Sequence, residues 1–156
     1  MPAKLTKDDY EFIAEFRYTL RKFLGFSEAA AIAHGLTAHQ YQALLAIEGF
    51  PGRSWVTVGE LAEQLQIVHH SAVGLVNRME KLELVYREKS TEDRRIVQVS
   101  LAPKGRKLLE SLYRTHRTEL KTIGPRLIKL LQKASLDISE SREPASPVCY
   151  MPPVEE

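Results

Sequence analysis

Between Thr57 and Gly105 the apolar residues change period once, from helical to alternating, and that switch leaves few folds open to the segment. Thr57-Val58-Gly59-Glu60 has the form of a capping box, in which a Thr hydroxyl takes the amide three residues on and the Glu reaches back. Val58, Leu61, Ala62 and Leu65 then fall on one helical face. After Gln66-Ile67-Val68 a second helix is predicted to begin at His69 or His70, with Ala72, Leu75, Val76, Met79 and Leu82 as its apolar side. Its other side carries His70, Ser71, Gly74, Asn77, Arg78 and Lys81.

A hairpin is predicted next. Leu84 to Lys89 and Ile96 to Leu101 flank the polar tip Ser90-Thr91-Glu92-Asp93-Arg94-Arg95. In the second strand Val97, Val99 and Leu101 alternate with Ile96, Gln98 and Ser100, the pattern of a half-buried strand. Trp55-Val56 is placed to add a short third strand. Helix, tight turn, helix and hairpin in that order define a mainly α fold with a small antiparallel β-wing, the winged helix-turn-helix.

The polar face of the second helix is made of short, polar or basic groups, which suit base edges and phosphates in a major groove. A charged hairpin tip is by default a solvated loop. After a helix-turn-helix, however, two adjacent arginines suit the concentrated negative potential of a minor groove. Gly74 costs about 1 kcal/mol relative to Ala inside a helix. Close approach to DNA and a tight helix–helix contact are both readings of it.

Several of these residues carry a resemblance to the MarR family of bacterial transcription regulators. They are Leu61-Ala62, the run Ser71-Ala72-Val73-Gly74-Leu75-Val76-Asn77-Arg78-Met79-Glu80, the wing signature Asp93-x-Arg95, and Leu101 with Gly105. The resemblance covers roughly residues 8 to 133. The sequence departs from the family pattern in Ala102-Pro103 where a capping Thr is usual, in Asn77 where an Asp is common, and in Gly74 where a larger polar or basic residue is common. Proline suits the first helical position, so a helix is still expected to start there.

The resemblance implies a homodimer on double-stranded DNA with a pseudo-palindromic site. The implied recognition-helix contacts are His69, His70, Ser71, Val73, Gly74, Asn77 and Arg78, and the implied wing contacts Arg87, Lys89, Asp93, Arg94 and Arg95. Within these, Ser71, Val73 and Gly74 set base preference, Val73 against a thymine methyl. Arg78 reads a base or clamps phosphate, and His70 assists near the backbone. Arg95 enters the minor groove, Arg94 contacts phosphate, and Asp93 orients the tip or pairs with a nearby Arg. The resemblance further implies a small aromatic or phenolic effector between dimer helices and winged domain. Tyr18, His39, Tyr41 and Trp55 are its expected border, and each is equally readable as a packing residue.

The flanks are read as dimerisation and support helices over residues 6–56, around the winged region 57–102, with C-terminal dimerisation helices over 103–133. Phe12, Ile13, Phe16, Leu20, Phe23 and Leu24 form a stripe in the first helix, and Thr37-Ala38-His39-Gln40 is a second capping box. Leu108 and Leu112, and then Leu120, Ile123, Leu127 and Leu130, recur at three or four, and Gly124-Pro125 is expected to kink or divide that helix. Residues 134–156, with Pro144, Pro147, Pro152 and Pro153, are read as an irregular acidic tail. Its Val148-Cys149-Tyr150-Met151 is readable as a docking patch. Residues 103 to 134 hold nine Lys/Arg against two Glu, and residues 135 to 156 one Arg against five acids.

The 156 residues suit one domain, and a net charge of +2 decides nothing by itself. No bilayer-length apolar run or signal-peptide pattern is seen, so a cytoplasmic location is expected. The single Cys149 excludes an internal disulfide framework and lies far from where redox-sensing relatives place theirs. His69-His70 raises a metal-sensor reading, with His34, His39 and His116 elsewhere, but adjacent helical side chains point about 100° apart. No metal, cofactor, catalytic constellation or membrane partner is expected. Against the DNA-binding regulator, expected to be a ligand-responsive repressor, stand a winged protein-interaction module and a metal-dependent regulator. Arg78, Arg94 and Arg95 discriminate against the module, which has little need of them.

Overall fold

The computed structural model describes the backbone of residues 4–140 and the side chains of residues 4–134. The elements run α1 (Lys7–Ala33), α2 (Ala38–Glu48), β1 (Trp55–Val56), α3 (Val58–Leu65), α4 (His69–Lys81), β2 (Val85–Lys89), β3 (Val97–Leu101) and α5 (Pro103–Glu140). Two compact units are formed: one spans Ser27–His116, and the other takes the chain through Phe26 and from Arg117 onward. The division falls within α1 and α5.

Local chemistry starts the helices where the capping patterns stand. Thr37 caps α2, accepting from the Gln40 amide at 3.2 Å while Gln40 Oε1 accepts from the Thr37 amide at 2.9 Å. Thr57 and Glu60 do the same for α3, at 3.2 and 2.8 Å. Pro103 is the first residue of α5, where its missing N–H costs no helical hydrogen bond. Both helices of the helix-turn-helix end through a left-handed residue that is not glycine. Gln66 (φ 53°) lets the Ile67 amide return to the Ala62 carbonyl, and Glu83 (φ 59°) lets the Leu84 amide return to that of Met79.

The three strands form an antiparallel sheet in the order β1-β3-β2. Ser100 stands opposite both Trp55 and Tyr86, so β3 is central. This corrects the simple alternation expected of that strand: Val99, Ser100 and Leu101 are all buried, because neighbours on both sides cover Ser100, while Val97 near the tip is exposed. Leu82, expected on the apolar side of α4, is also exposed, since it caps the helix end instead of continuing it.

Leu44 and Ile47 of α2, Leu61 of α3, Val76 and Met79 of α4, Val56 and Val99 of the sheet, and Leu112 of α5 are wholly buried in one core. Each such side chain contributes about 1.5–3 kcal/mol by leaving water. The wing is anchored by a close approach: a Cβ at Gly105 would lie 2.1 Å from the Leu84 carbonyl oxygen and 3.1 Å from Leu44 Cδ2. Only glycine admits α5 there, and the Ala102 amide donates to that same carbonyl at 2.9 Å.

Two expectations for the C-terminal region are affected. Of the kink or division expected at Gly124-Pro125, division does not occur, and the helix does not end at residue 133; it continues to Glu140, so residues 134–140 are helical. A proline removes one backbone donor, and the apolar spacing on either side carries the helix through. The rest of the expected acidic tail, with Cys149 and the Val148–Met151 patch, lies outside the described residues.

Candidate nucleic-acid interface

Helix α4, the expected recognition helix, divides cleanly. Ala72, Leu75, Val76 and Met79 are buried, whereas His69, His70, Ser71, Asn77, Arg78 and Lys81 are exposed and Val73 and Gly74 lie between. Its first turn has no side-chain cap, because Val68 stands at the capping position. Arg78 folds back toward the helix N-terminus, as helical side chains do, so that its Nη1 lies 3.3 Å from where a Gly74 Cβ would be. It borders a groove of about 480 Å³ with Thr37, His39, Gln40, Ile67, Ser71 and Leu75.

The wing is built from polar contacts that sequence reasoning placed only in part. Ser90 is buried, and its Oγ accepts from the amides of Glu92 (3.2 Å) and Asp93 (3.4 Å), which turns the chain at the tip. The Asp93 carboxylate then accepts from the Arg95 amide at 3.0 Å and from its guanidinium at 3.1 and 3.0 Å. The Arg95 side chain and amide hold the Asp93 carboxyl below its ordinary value, and Asp93 in turn raises the Arg95 guanidinium. Asp93 thus pairs with a neighbouring arginine and also binds the backbone of the tip. Arg94 is exposed, with no ion pair or hydrogen bond of its side chain among the described residues.

Arg87, expected among the wing contacts, has partners within the chain. Its guanidinium is ion-paired with Glu80 and donates to Asn77 Oδ1 at 2.9 Å, while its amide donates to Glu80 Oε1 at 3.1 Å. It thereby ties β2 to α4. Glu80 and Ser90 are the residues that sequence reasoning missed; the only signal for Ser90 was its place two and three residues before the amides it accepts.

The four residues expected to border an effector pocket do not share one surrounding. Tyr41 is buried and stacked on His116 (centroids 4.7 Å, 15° between planes), and burial raises its hydroxyl pKa. Trp55 lies under the Arg53 guanidinium (3.9 Å), which also covers Phe50 (4.4 Å) and pairs with Glu60. Tyr18 belongs to the other unit, beside Lys22 and Arg126. Only His39 opens on the groove beside Arg78. The aromatic bodies of the other three are engaged in packing or cation–π contact. Among the described residues no group of three His, Cys, Asp or Glu could hold a metal ion, and no helix is long and apolar enough to cross a membrane.

An exposed polar helix face beside a hairpin carrying arginines at its tip is a winged helix-turn-helix. Residues 34–96 match the model of the MarR family. Over 69 residues the chain is 33% identical to the uncharacterized HTH-type transcriptional regulator YsmB of Bacillus subtilis, covering 40% of this chain and 47% of that protein, so the match spans about half of the relative. AbsC, a MarR family transcriptional regulator from Streptomyces coelicolor, has a similar fold (TM-score 0.69, 22% identity, 88% of this chain and 96% of that one). So does a variant of MepR from Staphylococcus aureus bound to an oligodeoxyribonucleotide (TM-score 0.59, 18% identity, 88% and 96%).

Proposed function

We propose that this protein is a transcriptional regulator that binds double-stranded DNA as a homodimer on a pseudo-palindromic site. The observation that carries the reading is the exposure of Ser71, Asn77, Arg78 and Lys81 on α4 beside a wing whose Arg94 and Arg95 reach solvent. With α4 in the major groove, Ser71 and Val73 face base edges, Gly74 lies on the same face, Arg78 reaches a base or phosphate, and His69 and His70 lie toward the backbone. Lys89, Arg94 and Arg95 meet phosphate and minor groove. Asp93 orients Arg95, and Arg87 holds the wing against α4, while Asn77 accepts its bond. The oligodeoxyribonucleotide bound to the MepR variant supports the same use of a similar fold.

Exposed apolar side chains support the dimer. Tyr10, Ile13, Leu20 and Leu24 of α1, and Leu120 and Ile128 of α5, are 36–62% exposed within one unit, more apolar surface than a monomer gains from leaving in water. A two-fold pair places the recognition helices on half-sites one helical turn apart. The regulatory half of the reading is repression relieved by a small aromatic or phenolic anion, through unequal affinity for two dimer geometries.

Selection of bound duplexes from a random pool, with the purified chain at moderate salt, tests the reading. A pseudo-palindrome with half-site centres one turn apart is expected. Recovery of unrelated sequences with only salt-sensitive binding would instead favour an interaction module. Titrating the selected complex with a hydroxybenzoate is expected to release the DNA.

A further inference from the structure

We propose that Gly74 and Arg78 act as one unit: the glycine leaves bare the strip of α4 along which Arg78 lies, and this pose of the guanidinium sets base preference. The inference rests on the DNA-binding reading above and adds to it which residue shapes the specificity contact.

A glycine inside a helix asks for a reason, and packing supplies none here. At Gly105 a Cβ would be driven to 2.1 Å from the Leu84 carbonyl, so the fold itself demands glycine. Among the described residues, a Cβ at Gly74 would meet nothing of α2, α3 or the sheet within 4 Å; its one neighbour there is Arg78 Nη1 at 3.3 Å. The alternative of a tight helix–helix contact is thereby removed. Within the chain, the missing side chain serves the arginine one turn later.

That arginine is available for an outside partner. Glu80, the one acid on α4, is taken by Arg87, as is Asn77. Arg78 is exposed, has no carboxylate partner among the described residues, and runs toward Ser71 and His39 along the groove. Its planar fork of donors is suited to the paired acceptors of guanine or to phosphate. A methyl at 74 would press on the guanidinium inside ordinary van der Waals contact, about 3.5–4.0 Å between heavy atoms. The far end of a flexible side chain gives by a few tenths of an ångström, so the helix keeps its structure while the Arg78 guanidinium is displaced from the strip.

Stability and recognition should therefore move in opposite directions, which a purely structural glycine would not do. The test uses the full chain as wild type, Gly74→Ala, Arg78→Ala and the double variant, each measured for Tm and for affinity to the duplex selected by the wild type. Gly74→Ala is expected to raise Tm by about 2–4 °C, from improved helix propensity. Its affinity should fall roughly fivefold or more, with altered base preference at the Arg78 position on reselection. In the Arg78→Ala background the same change should leave affinity unaltered. Wild-type affinity and preference in Gly74→Ala would overturn the inference. So would an equal loss in both backgrounds, which would assign Gly74 a direct approach to DNA. If the wild type selects no duplex, the DNA-binding reading falls, and this inference falls with it.

Discussion

Neighbouring residues of like type do different work in this protein, and their partners separate them. Arg87 and Arg95 both have acids beside them, but Arg87 crosses from strand to helix whereas Arg95 closes on Asp93 two residues away at an exposed tip. Replacing Arg95 by Ala should weaken DNA binding across most sequences and lower the salt slope by about 1. Asp93→Asn keeps the cation and should leave that slope near wild type; binding isotherms across a salt series would separate the two. Glu60 gives a pH prediction. Burial tends to raise its carboxyl, but the Thr57 amide and the Arg53 guanidinium outweigh burial and hold it below its ordinary value. A lowered carboxyl stabilises the fold above its ordinary range and loses that contribution as pH falls through the folded value. Glu60→Gln should therefore lower Tm at pH 7 and come closer to wild type near pH 3, checked by thermal unfolding at both.

At the scale of elements, the turns that join helices to each other and to the wing decide how the interface is presented. Glu83 sits at φ 59°, a left-handed conformation that costs a side-chain-bearing residue roughly 1 kcal/mol or more. Glu83→Gly should relieve it and raise Tm by about 2–4 °C, less whatever glycine gives back in the unfolded chain. Gly105→Ala should do the reverse, since the clash is with backbone, at a cost of about 3 kcal/mol seen in denaturant unfolding. The capping boxes at Thr37 and Thr57, the start of α5 at Pro103 and the short strand at Trp55-Val56 were legible because each is written in a few adjacent residues. The passage of α5 through Pro125 was not. A proline's local penalty is readable from sequence, but whether the apolar spacing on either side carries the helix through it is not.

For the whole molecule, the unpaired apolar surface of α1 and α5 is the feature that one copy leaves unexplained. Ile128 is 56% exposed, so an aspartate there costs a lone chain little. Ile128→Asp should shift a dimer toward monomer in sedimentation equilibrium, with duplex affinity falling in parallel. An unchanged oligomer would move the interface elsewhere. The order of helices and hairpin, the polar face of α4 and the basic wing tip were determined by sequence alone, because hydrophobic period and capping chemistry act over neighbouring residues. Tertiary structure alone decided that Arg87 belongs to Glu80 and Asn77, that Tyr41 is closed against His116, and that Gly74 faces only Arg78. Each of those is a meeting of side chains in space, settled by how helices and strands pack and by which partner a charge reaches first.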